Sequence, residues 1–154
     1  MKLRAILTAA LFATTAACSS GAHVTAPDGF AELDSSEDYS FRATSAEGVV
    51  IAVRTEANEP RGNLAFWASA IDHRLQKSGY VPQAEGAVAV ASEAGLPGKR
   101  LRYKLENAGR PHEYWVTVFV TDTRVIVVEA AGDRDFFDAS VQKQIEIATK
   151  TIKT

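Results

Sequence analysis

The chain has 154 residues, a formal net charge of −2, 23% charged side chains and one cysteine, Cys18. The small acidic excess argues against a nucleic-acid binder, whose affinity for phosphates comes from clustered basic residues and the counterions they release. A lone thiol excludes an intrachain disulfide, and a chain of this length forms one domain that buries roughly two-thirds of its unfolded surface without metal or disulfide.

Lys2 and Arg4 precede an uncharged, largely apolar run from Ala5 to Ala17. The run is shorter than the ~20 residues a membrane-crossing helix needs, and small residues lead up to Cys18, which is the anatomy of a secretion signal over residues 1–17. Its removal takes Lys2 and Arg4 from the 17 basic residues and leaves 15 against 19 acidic ones. Thr15-Ala16-Ala17-Cys18 resembles the lipobox of bacterial lipoproteins, with Thr15 where leucine is usual. The resemblance implies that the Cys18 thiol carries diacylglycerol, that Cys18 becomes the new N-terminus, and that the protein is anchored to the cell envelope facing the periplasm. Ser19 stands where an aspartate retains many such lipoproteins at the inner membrane, so the same resemblance favours the outer membrane. The alternative is a plain secreted protein cut after Ala17, with a free thiol at its start.

Ser19 to Pro27 is small, polar and without periodicity, so residues 18–27 are expected to be the lipidated cysteine and a tether. Residues 28–154 are expected to form a single domain. Tyr39–Thr44 and Val49–Thr55 read as a hairpin across the turn Ser45-Ala46-Glu47-Gly48. Between Asn63 and Lys77 the residues Leu64, Trp67, Ile71 and Leu75 recur at helical steps, with Asn63 as N-cap and Gly79 as terminator. Tyr80–Ser92, broken by Pro82 and Gly86, reads as an irregular edge strand.

In Lys99–Glu106 the residues Leu101, Tyr103 and Leu105 alternate with Arg100, Arg102 and Lys104, the period of a half-buried strand. His112–Thr121 and Arg124–Ala130 continue a meander through the short Asp122-Thr123 turn, and the run Val125–Val128 points to a strand covered on both sides. Phe136–Lys153 carries Phe137, Val141, Ile145, Ala148 and Ile152 at helical steps, with Asp133 or Asp135 as cap and Asp138 against the helix dipole. The predicted class is α+β, an antiparallel sheet in the order ββαββββα with helices on both faces.

That order, the run Gly95-Leu-Pro-Gly-Lys-Arg-Leu-Arg-Tyr103 and the aromatic strand His112-Glu-Tyr-Trp-Val-Thr-Val-Phe119 resemble the fold shared by photosystem PsbP proteins, a Ran-binding import factor and DcrB lipoproteins. The resemblance spans about Asp28 to Ile152 and implies an α/β/α sandwich used as a binding module or assembly factor, generally without catalysis. It transfers no set of functional residues.

The residues offer little chemistry. His112-Glu113 lacks the second histidine four residues on, where Val116 stands, and adjacent strand residues point to opposite faces. His23 and His73 have no partner at ligand spacing. Gly95–Arg100 has too few residues between its glycines for a phosphate loop, and no serine sits in a Gly-x-Ser-x-Gly elbow. The acidic groups Glu32, Asp34, Glu37, Asp38 and Asp133, Asp135, Asp138 lack a converging calcium loop. No metal, cofactor or catalytic residue is therefore predicted.

One surface hypothesis follows from register. Placing Asn107 opposite His112 across the loop Ala108–Pro111 pairs Lys104 with Trp115, Arg102 with Thr117 and Arg100 with Phe119 on one face, and Leu105 with Tyr114, Tyr103 with Val116 and Leu101 with Val118 on the other. Arg100, Arg102, Lys104, Trp115 and Phe119 then form an aromatic and basic patch able to bind a partner or anionic lipid. The competing arrangement buries Trp115 and Phe119 under a helix, with the cationic stems at the rim. The expected function is an envelope-anchored, non-enzymatic binding or assembly module for a membrane-associated protein, with a carrier of a small apolar ligand or lipid as the alternative.

Overall fold

The computed structural model describes residues 21–34 and 36–154. Cys18 and the expected signal segment lie outside the described residues. Three strands come first, β1 (Phe30–Glu32), β2 (Phe41–Ser45) and β3 (Val50–Ala57), then α1 (Leu64–Lys77). They are followed by β4 (Val81–Pro82), β5 (Val88–Ala91), β6 (Pro97–Asn107), β7 (Arg110–Val120), β8 (Arg124–Asp133), a 3-10 turn (Arg134–Phe136) and α2 (Ala139–Lys150). The strands form one antiparallel sheet in the order β1-β2-β3-β8-β7-β6-β4, with β5 also paired to β6. The α+β class with an antiparallel sheet is as the sequence predicts. β1 was not expected, and Tyr80–Ser92 holds two short edge strands, because Pro82 and a turn through Gly86 at φ +66° interrupt it.

Alternation along β7 and β8 feeds two apolar clusters. Trp115, Phe119, Ile126 and Val128 join Phe41, Ile51 and Val53, and this cluster takes in Ile145 and Ala148 of α2 together with Phe137 and Ile152. Val116, Val118, Val125 and Val127 join Leu101 and Tyr103, and here Leu64, Trp67, Ile71 and Leu75 of α1 pack. The β-branched run of β8 thus supplies both clusters. Asn63 caps α1 as predicted, its side chain accepting from the Phe66 N–H at 2.9 Å.

Three expectations are corrected. First, the β6–β7 connection is a two-residue turn: Asn107 pairs with Arg110 and Leu105 with His112, a register two residues from the one predicted. Ala108 at φ +50° and Gly109 at φ +76° both take the left-handed conformation of a type I′ turn, which matches strand twist better than a longer loop. A shift of two keeps each side chain on its predicted face and changes only its partner, so Arg102 stands opposite Trp115 and Lys104 opposite Glu113. Second, Asp133 caps the 3-10 turn while Asp138 is the N-cap of α2, accepting from the Val141 N–H at 2.9 Å.

Third, residues 21–27 are part of the folded body and not a tether. Ala22 is 1% and Val24 0% exposed, His23 bridges to Lys153, and the Thr25 N–H donates to Thr151 Oγ1 at 2.8 Å. Their small apolar side chains fill space between the first cluster and the C-terminal residues, a contact that composition alone does not disclose.

The sheet has two distinct ends. At one lie Ala22, bonded to Thr55 Oγ1, the β7–β8 turn at Asp122-Thr123, and the start of α1. At the other lie the Ala108-Gly109 and Ser45–Gly48 turns and the end of α1. β7, with 11 residues, spans the distance between them, about 35 Å at ~3.3 Å per residue.

Candidate interaction site

The predicted patch divides between core and surface. Trp115 is 3% and Phe119 0% exposed, so neither is available at the surface. Phe119 also lies against Gly98, where an added Cβ would come within 2.5 Å of its ring. The Arg102 guanidinium lies 4.3 Å and that of Arg100 5.0 Å from the Trp115 ring centre, and Phe137 meets the same ring edge-on. Glu146 of α2 accepts from Arg100 Nη1 at 2.6 Å and stands 3.8 Å from Arg102. Burial lowers the pKa of the Arg100 guanidinium, and the hydrogen bond and charge of Glu146 oppose that shift. The arrangement is a clasp between sheet and α2 in which two cations, an indole and a carboxylate are held together.

Near the second cluster, tyrosine hydroxyls donate to carboxylates. Tyr114 donates to Glu129 at 2.7 Å, and Glu129 is paired with Arg54 at 3.3 Å. Tyr103 donates to Asp72 of α1 at 2.7 Å. Burial, then these carboxylates, raise both phenol pKa values well above the ordinary tyrosine range. The rings of Tyr80, Tyr103 and Tyr114 contact one another, joining the end of α1 to the sheet.

Lys104, the exposed member of the predicted set, lies in an open groove of about 530 Å³ at the far end of the sheet. Tyr80, Val81 and Leu105 give the groove its apolar lining, and Lys104, Glu106 and Arg134 its charged rim. Val81 is 60% exposed. Arg134 is tied down by Glu113, which also accepts from Gln83, so Glu113 serves as a structural anchor. His112 stands beside the Arg110 carbonyl at 3.1 Å. The sequence reading passed over Tyr80, Val81 and Arg134; the available signal was an aromatic and a β-branched residue lodged between the helix-ending Gly79 and Pro82. A second groove of about 580 Å³, polar and lined by His23, Asp38, Tyr39 and Thr55 among others, opens at the opposite end.

No family model matches the chain, and no curated protein matches it. Solved structures do. The chain is similar to LpqN, involved in cell envelope biogenesis of Mycobacterium tuberculosis, with a TM-score of 0.63 and 13% identity over 86% of this chain and 83% of that one. It is similar to the cyanobacterial PsbP of Synechocystis sp. PCC 6803, with a TM-score of 0.57 and 13% identity over 87% and 86% of the two chains. A Pseudomonas aeruginosa protein of unknown function gives a TM-score of 0.57 and 12% identity over 81% of each chain. The fold is therefore PsbP-like.

Proposed function

We propose that the protein is a non-enzymatic binding or assembly module of the cell envelope, anchored through lipid on Cys18, and that a membrane-associated protein docks in the groove at Val81. The observation that carries this reading is Val81 itself, an apolar side chain 60% exposed between Tyr80 and Leu105. An apolar centre with a rim of both charge signs has the anatomy of a protein interface, where the centre gives affinity and the rim fixes orientation. LpqN supports the envelope setting by analogy of fold only. The carrier alternative has less support: the space beneath α1, lined by Trp67, Ile71, Val125 and Val127, is about 90 Å³, against the roughly 300–1,000 Å³ of small-molecule sites.

The test is photo-crosslinking in cells from position 81 of the full-length chain, with Lys143 on the exposed side of α2 as the control position. One protein partner captured in stoichiometric yield from 81 and not from 143, and lost from 81 when Lys104→Glu reverses the rim charge at unchanged melting temperature, is the expected result. Equal capture from both positions, or phospholipid alone, overturns the reading.

A further inference from the structure

Resting on the lipid-anchored reading of Cys18, we infer that the sheet end bearing Ala22, the Asp122-Thr123 turn and Phe66 lies directly against the bilayer, with Phe66 at headgroup depth. Two independent observations meet at this end. The first is reach. Four chain steps separate Cys18 from Ala22, about 14 Å when fully extended. Ala22 is fixed in place: its N–H donates to Thr55 Oγ1 at 3.2 Å, and its carbonyl accepts from Ser40 Oγ. A cysteine whose acyl chains are in the membrane therefore holds this end within a headgroup layer's distance of it.

The second observation is Phe66, 48% exposed in the first turn of α1 and edge-on to Trp67 at 5.4 Å. Asn58 fixes that turn to the same sheet end. Its Nδ2 donates to the Thr121 and Gly62 carbonyls at 3.0 Å each, and its Oδ1 accepts from Trp67 Nε1 at 2.7 Å. An exposed aromatic beside a lipid anchor adds apolar burial at the interface. The surrounding charges, Arg61 and Arg124 with Glu59, Asp38 and Asp122, are of both signs, so contact rests on the acyl chains and Phe66 and not on a basic patch. This orientation holds the Val81 groove about 23 Å beyond the membrane-facing end of β7, because Val81 pairs with Lys104 and Lys104 with Glu113, seven residues from Val120.

The test uses the acylated protein purified from its bacterial host and reconstituted in phosphatidylethanolamine–phosphatidylglycerol vesicles containing headgroup-level nitroxide lipid. With Cys18 acylated, Thr123→Cys or Glu47→Cys supplies the sole free thiol for a fluorophore. Loss of fluorescence from position 123 and none from position 47 is expected, and Phe66→Ser lessens the loss at 123 while the protein stays vesicle-bound. Equal quenching at both positions, or stronger quenching at 47, in protein whose mass includes the lipid overturns the orientation alone. An intact mass without lipid removes the anchor and the inference with it.

Discussion

Trp115 joins the sheet to α2 by packing and by charge at once, with Arg100 and Arg102 against its ring and both cations near Glu146. Truncating a buried indole costs ~3–5 kcal/mol, so Trp115→Ala is expected to lower unfolding free energy by that amount in urea titration; a change within ~0.5 kcal/mol would mark a surface residue instead. Tyr103 and Tyr114 give the protein an alkaline limit. Their folded pKa values are raised, so the unfolded state loses these protons first, and the stability from neutral phenols is complete below about pH 10 and declines as pH rises beyond it. Thermal melts should show this decline, and Tyr103→Phe with Tyr114→Phe should flatten it. The predicted faces of β6 and β7 hold for each of these residues, because a period of two assigns faces without knowing partners. Whether an aromatic face is covered depends on a helix some 30 residues away, which is why Trp115 and Phe119 can be read from sequence as patch or as core.

At the scale of elements, the β6–β7 hairpin turns on Ala108, an alanine at φ +50° where asparagine or glycine is favoured. Ala108→Asn is expected to stabilise the protein by about 0.5–1 kcal/mol, seen as a raised melting temperature; a lowered one would contradict the type I′ turn. Gly109 was legible as a turn residue, but the alanine before it hid the two-residue length, and the register moved by two. The helices were better marked. α1 announces itself through Asn63 and its apolar stripe, whereas before α2 the sequence offers Asp133 or Asp135 as the cap, and the structure gives Asp133 to the 3-10 turn and the cap of the helix to Asp138. Short edge strands such as β1 and β4 carry too few residues for periodicity to register.

At the scale of the whole molecule, the buried Ala22 and Val24 tie residues 21–27 to the folded body. A short polar stretch of small residues has the composition of a tether, and only the C-terminal residues that pair with it, Thr151 to Lys153, reveal it as part of the body. With residues 21–27 in the folded body, the proposed lipid anchor on Cys18 orients the molecule as inferred above, one sheet end at the bilayer and the Val81 groove toward the other. Every step of that geometry begins at Cys18. The decisive measurement is the intact mass and membrane partitioning of the mature protein beside its Cys18→Ser variant. The account predicts a chain that starts at Cys18, carries diacylglycerol and enters the detergent phase, and a variant that does neither; an unmodified chain, or a variant that partitions like the wild type, would contradict it.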